Sequence, residues 1–254
     1  MVDTTTLAKI AKLSMAKDGL EGQWDTWGAN VALYRRYDDG EHDNKLTAEM
    51  KTALRIGTRG DYTFAANYMP VVIDILNSRL AANGIEGDNE AATNWLAEVL
   101  EAERFDRLQN ALHRNTIRDG DGFVMCWYDN TEQRPRLTVE QAYDGAEGII
   151  PVYFAEGDLL PGAVLKVWQV LIDQNGKLVA LTRVNEYRAD IVRRWISDDS
   201  GKNLMPYTDP VTNAPPEEAW TARDGSPLGV PIFHFKNRPR GQWGISEIAS
   251  AIPL

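Results

Sequence analysis

The sequence has 254 residues, 43% hydrophobic and 25% charged, which is enough to bury a sizeable core and excludes wholesale disorder. A formal charge of -10 and a pI of about 4.9 mean that the chain as a whole repels polyanions, which excludes a dedicated DNA-binding domain of the usual basic kind. The single cysteine, Cys126, permits no intrachain disulfide and points to a reducing compartment.

The first half reads as helical. Thr6 caps a short helix carrying Leu7, Ile10, Ala11 and Leu13, with Gly19 past its end. A second helix runs from about Leu20 to Tyr37, its aromatic and aliphatic residues Trp24, Trp27, Val31, Leu33, Tyr34 and Tyr37 spaced mostly by three or four. The polar turn Asp38 to His42 ends it. Phe64 to Leu80 reads as a buried helix with Pro70 tolerated in its first turn, closed by Asn83-Gly84. Two more helices follow, about Glu90 to Leu100 and Phe105 to Arg118. The second places Leu108, Ala111, Leu112 and Asn115 on one face. Asp119-Gly120-Asp121-Gly122 closes the helical half.

The period then changes. Phe123 to Tyr128, Ile149 to Phe154, Val164 to Ile172, Leu178 to Tyr187, Asp190 to Ile196 and Val230 to Phe235 read as strands. Asn175-Gly176 marks a hairpin, and Arg188 to Asp190 a tight connection. Asp198 to Pro227, rich in Pro, Gly and Asp, reads as a loop or disordered insertion. Asn237 to Gly244 is a loop. Ser246 is a helix cap followed by Glu247, with Ile248, Ala251 and Ile252 on one side of a helix that starts just before the last residues. The expected fold class is α+β. Residues 1–120 form a helical part and 121–236 a mostly antiparallel β-sheet part with the loop at 198–227. Residues 237–254 form a loop and the beginning of a further helix. No stretch approaches the ~20 apolar residues of a membrane span. No basic-then-apolar secretory signal opens the chain, and a soluble protein made in a cytoplasm is expected.

Candidate chemistry is sparse. Gly244-Ile245-Ser246-Glu247-Ile248 lacks the final glycine of a nucleophile elbow, which favours the cap reading. The acidic turns at Asp38 and Asp119 lack the ligand spacing of a calcium loop and read as solvated turns. His42, His113 and His234 share no metal-ligand spacing, and His113 and His234 read as packing or surface residues. Cys126, within an apolar run, reads as a structural thiol. Glu98 and Glu101 lie on one solvated helix face. There is no phosphate-binding loop and no dinucleotide fingerprint. The tryptophans at 24, 27, 95, 127, 168 and 195 lie in periodic segments, so packing in a core or subunit interface is their first reading. No catalytic residue, cofactor or metal is assigned, and a non-enzymatic role is expected.

Taken in order, several segments resemble one family, the portal proteins of tailed double-stranded-DNA bacteriophages. They are the turn Tyr37 to His42, then Asn67-Tyr68, Val72 to Asp74 and Arg79-Leu80 with Gly84. Next come the helix with His113 ending at Gly120 or Gly122 before Phe123-Val124, and the closing run. That run comprises Gly229 to Arg238, Gly244 to Ile248 and Ala251 to Leu254. The resemblance covers nearly the whole chain. It implies the wing of a portal subunit and its approach to the stem, in a chain that the family continues into a channel helix and clip. The implied assembly is a ring, usually dodecameric, at a capsid vertex of the virion. It nucleates head assembly in the host cytoplasm, passes double-stranded DNA without sequence-specific binding, and docks the terminase, the capsid or scaffold and the head–tail connector. No membrane partner is implied. Asn237, Arg238, Gly244, Ser246 and Glu247 are the candidate wing-to-stem junction and subunit interface, with Arg238 as an inter-subunit ion-pair partner. One departure is Arg104, where the family often has Asn. Two other classes compete: a non-enzymatic module binding a protein or glycan through its aromatic-rich sheet, and a hydrolase with an unrecognised site.

Overall fold

The computed structural model describes residues 7, 20–41, 67–82, 84–129, 131–155, 157–174, 176–198 and 203–252. Among the described residues four complete helices precede the sheets, and the architecture is α+β. Helix α1 (Leu20–Asp38) buries Trp24, Trp27, Val31 and Tyr37, the stripe its sequence period predicts. It ends at Gly40, whose φ of +85° is the left-handed conformation glycine supplies most cheaply. Helix α2 (Met69–Asn77) carries Pro70 in its first turn, and the Asn67 side chain accepts from Met69 N–H. Helix α3 (Glu90–Ala102) is capped by Asn89, which accepts from Ala92 N–H. Helix α4 (Phe105–Asp119) follows a single left-handed residue, Arg104, and closes at Gly120. The helix expected at Thr6 to Leu13 lies outside the described residues except Leu7, which is helical and buried; His42 and Asn83 lie outside them too.

Two antiparallel sheets follow. The first has the order β2-β1-β9, from β1 (Asp121–Asp129), β2 (Arg134–Glu140) and β9 (Ile232–Lys236). The second runs β3-β4-β5-β6-β7, with β8 also on β6. It comprises β3 (Gly148–Val152), β4 (Ala163–Gln174), β5 (Lys177–Arg188), β6 (Ile191–Ser197), β7 (Leu204–Pro206) and β8 (Glu217–Ala219). The hairpin signal at Asn175-Gly176 is borne out: Gln174 pairs with Lys177, Gly176 has φ +81°, and Asp173 accepts from Gly176 N–H. The turn at Ala189-Asp190 is equally tight, since Tyr187 pairs with Val192.

Several sequence expectations change. The helix expected as buried over Phe64 to Leu80 is, among the described residues, only Met69–Asn77, and it buries Ile73 while Val71, Val72 and Ile75 are exposed. Strand β2 has no clear alternation and contains Pro135, but as an edge strand it tolerates the missing N–H. The Pro-rich stretch from Asp198 is not structureless. It places β7 and β8 on β6, and Trp220 Nε1 donates to Gly229 O. At the end of the described chain, the expected helix is one 3-10 turn, Ala249–Ala251, and Ser246 does not cap it.

The main core lies where the helical half meets the sheets. Trp24, Trp27 and Val31 cluster with Phe123 and Ile232 of the first sheet and with Ile150, Leu165 and Val184 of the second. A second cluster joins Tyr37, Ile73, Ile117, Ile248 and Ile252. Helix α4 packs on β1 so closely that a Cβ on Gly122 would collide with the Thr116 and Leu112 side chains. Trp95 departs from the packing expectation and is 52% exposed. Among the described residues, no helix is long and apolar enough to cross a membrane.

Candidate functional site

The C-terminal end of α4 organises the site. The last carbonyls of a helix have no partner within it. Here the run after β9 supplies them: Asn237 N–H donates to Gly120 O at 2.8 Å and Glu247 N–H to Ile117 O at 3.0 Å. The Ser246 hydroxyl donates to Arg118 O and accepts from Ile248 N–H. Serine was expected as the cap of its own short helix; it instead caps the end of a helix more than a hundred residues earlier.

The loop between Asn237 and Glu247 is closed by one side chain. Asn237 Nδ2 donates to Ile245 O at 2.7 Å and to Glu247 Oε1 at 3.0 Å, while Ile245 N–H donates to Asn237 O at 2.7 Å. Arg238 takes a left-handed φ of +44° and pairs with Glu247 at 2.6 Å; its side chain is 66% exposed. Gly244 sits so close to the Gly120 carbonyl that no Cβ fits. All five junction candidates therefore belong to one clamp, and Ile248 and Ile252 anchor it in the second core cluster.

A buried polar relay adjoins the clamp. Asp121 is fully buried and accepts from Trp27 Nε1 at 2.9 Å, Gly244 N–H at 2.8 Å and His234 Nε2 at 2.7 Å. His234 Nδ1 lies 2.7 Å from Tyr153 Oη, and its ring stacks on Phe123. Burial lowers the His234 pKa, despite the opposing pull of Asp121. The neutral ring then donates from Nε2 to Asp121 and accepts the Tyr153 proton at Nδ1, which satisfies every group. Burial likewise pushes the Tyr153 hydroxyl up, keeping it protonated. Trp243 stacks on Trp27 with centroids 4.2 Å apart, so the loop is also pinned from its far side.

A chain of ion pairs gathers along the C-terminal half of α4. Arg35 contacts Asp119 at 3.0 Å and Asp144 at 2.8 Å, and donates to Ala142 O. Arg114 forks onto both oxygens of Asp38, a pairing that raises its own pKa, and Arg118 bonds Asp119 at 2.7 Å. Asn67 donates to the Asp38 carbonyl.

Asp38, Asp119 and Asp121 correct the expectation of solvated turns, because all three are buried and paired. His234 likewise does more than pack. The available signal was position: Asp119 and Asp121 stand where a helix passes into a strand without a linker, so a glycine-spaced pair there faces inward.

The chemistry of the arrangement is cohesive rather than reactive. The Ser246 hydroxyl donates to a carbonyl and not to a base, and both His234 nitrogens are engaged. Burial raises the Cys126 pKa, which disfavours a thiolate. Glu98 and Glu101 are exposed. Among the described residues, no group of three metal-ligating side chains converges. Comparison with protein-family models and with curated proteins finds no match.

Proposed function

We propose that the chain is a portal subunit of a tailed bacteriophage, building a closed ring at one capsid vertex. The observation that carries this reading is convergence. The segments resembling the portal family are scattered from Tyr37 to Ile252, yet the Tyr37–Asp38 turn, Asn67, Ile73 and the closing run are linked around the end of α4. Asn67 braces the Asp38 turn, Ile73 packs with Tyr37 and Ile248, and the closing run caps α4. A clamp of this kind fixes the direction in which the chain leaves β9, as a wing-to-stem junction requires.

A ring of identical subunits uses a heterologous interface, with a different patch on each side. Exposed apolar residues are available for such contacts: Val71, Val72 and Ile75 on α2 and, separately, Trp95 on α3. The net charge of -10 is compatible with a ring that must not hold the DNA it passes. Terminase, capsid or scaffold and the head–tail connector are the partners on this reading, and the ring is usually dodecameric in the family.

The test is native mass spectrometry with negative-stain electron microscopy of the protein translated from its natural reading frame to its own stop codon. Large closed rings are expected. Monomers alone at micromolar concentration would overturn the proposal.

A further inference from the structure

Two unlike exposed surfaces lie at the two edges of the first sheet. Helix α3 is fastened at one edge: Glu103, directly after it, accepts from Arg134 and from Leu137 N–H of β2. Strand β9 forms the other edge.

Helix α3 is amphipathic in sequence, yet none of its residues is buried. Leu96, Val99 and Leu100 are half-buried on its inner side. Its outer side carries Ala91, Trp95, Glu98 and Ala102 at helical spacing, with Glu101 beside them, and all five are exposed. Residues 84–102 hold five carboxylates and no basic side chain.

The β9 edge is only half covered. Helix α4 packs on β1 and β2, and a Cβ on Gly122 would meet its Thr116 and Leu112 side chains. Phe235 and Phe233 stand directly opposite Gly122 and Val124, so their side chains share the face that α4 covers. They nevertheless remain 44% and 46% exposed, because the helical layer stops one strand short. The loop that follows adds Arg238 and Arg240, both exposed, and no acidic residue before Glu247. Arg238 pairs with Glu247, whereas Arg240 is held through its backbone, N–H to Trp243 O.

One surface is thus aromatic and acidic, the other aromatic and basic. We propose that α3 of one copy of this chain docks on the exposed β9 face of a second copy. Trp95 lies against Phe233 and Phe235, and Glu98 and Glu101 face Arg240 with Arg238. Large aromatic side chains and arginine supply most of the energy of protein contacts, while matched charges select the partner and fix the register. The two surfaces belong to opposite edges of one sheet, so the contact is heterologous and repeats head to tail. The inference deepens the ring reading by naming its two surfaces, and rests on that reading for closure alone; the contact itself needs only a second copy.

The test is sedimentation velocity and native mass spectrometry of the protein translated to its own stop codon. The variants are Arg240→Glu, Glu98→Arg, the two combined, and Trp95→Ala. All three positions are exposed, and thermal melts check that each variant stays folded. Each single variant should weaken association about tenfold, and the combined charge swap should recover most of the loss. Charge-sensitive dimers or open chains without rings would support the contact and overturn ring closure. Rings indifferent to all four variants would overturn the contact and leave the ring reading standing. Loss with no recovery in the charge swap would overturn the pairing of α3 with β9. Monomers alone from the unmodified protein would overturn both.

Discussion

Asp121 and His234 face each other diagonally across the β1–β9 ladder, two pairs apart in register, with Asp121 Oδ1 2.7 Å from His234 Nε2. Their side chains are 0% and 1% exposed. The pair ties the first strand after the helices to the last strand before the clamp. Removing the carboxylate strands three buried donors, on Trp27, His234 and Gly244. Asp121→Ala should cost roughly 3–5 kcal/mol of unfolding free energy, the range for breaking a buried polar pair. Asp121→Asn, which keeps one acceptor, should cost about 1–3 kcal/mol. Urea denaturation measures both, and a shift under 1 kcal/mol for the alanine variant would mean that the contact contributes little.

The same pair makes stability depend on pH in a stated direction. The folded protein holds the His234 pKa below its ordinary value of 6.5. Between the lowered value and about 6.5 the unfolded chain binds more protons than the folded one, so stability falls as pH falls. The contribution is present in full above about pH 6.5 and is lost as pH drops through the folded value, with a slope of up to ~1.4 kcal/mol per pH unit. Urea midpoints at pH 7.5, 6.5 and 5.5 should decline, and the decline should be shallower in His234→Gln. An equal decline in both proteins would assign it to other groups.

Gly244 and Gly241 separate crowding from backbone freedom within one loop. A Cβ at Gly244 would strike the Gly120 carbonyl and lie 2.8 Å from Asn237 O, both backbone atoms that cannot swing aside. Gly241 has φ +67° but nothing within 4 Å of its would-be Cβ. Gly244→Ala should therefore cost on the order of 3 kcal/mol, the upper end of overpacking penalties. Gly241→Ala should cost about 1 kcal/mol, the left-handed backbone penalty alone. Thermal melts of the two variants check the order, and equal losses would contradict the crowding account.

Period and turn chemistry made most elements legible in the sequence. The spacing of Trp24, Trp27 and Val31 marks α1, and Asn175-Gly176 fixes the β4–β5 register. Partnership across long separations was not legible. Asp119 and Asp121 look like a solvated turn until Arg35, eighty-four residues away by contact, and His234 arrive. Ser246 looks like a local cap because nothing in its neighbourhood names Arg118 as its acceptor. Strand β2 is hidden for another reason: its charges serve a tertiary contact. Glu103 binds Arg134 at 2.9 Å and Arg136 at 3.0 Å and accepts from Leu137 N–H. Asn237, Arg238, Gly244, Ser246 and Glu247 were singled out through the order of family-like segments, and the structure places them in one clamp at the end of α4.

Arg104 holds φ +51° and ψ 55° with no side-chain cap for α4. A left-handed residue costs roughly 1–2 kcal/mol for most side chains and less for Asn or Gly. Arg104→Asn should raise stability by about 0.5–1 kcal/mol, and Arg104→Gly by a similar or smaller amount because glycine loses more chain entropy on folding. An increase in the urea midpoint of both variants is expected. A decrease in both would show that the arginine side chain makes a compensating contact.

Arg238 distinguishes the clamp from the ring. Its pair with Glu247 is short, but with two-thirds of the arginine side chain exposed it should contribute no more than ~1 kcal/mol within one subunit. Arg238→Ala also relieves little of the φ +44° strain, since alanine has a Cβ too. Subunit melting should thus shift only slightly. On the portal reading, the same guanidinium reaches a neighbouring subunit, and its loss should lower the salt concentration at which rings fall apart. Native mass spectrometry across a salt series reads this directly. Rings of unchanged salt resistance would confine Arg238 to its own subunit, leaving the clamp intact and removing it from the interface.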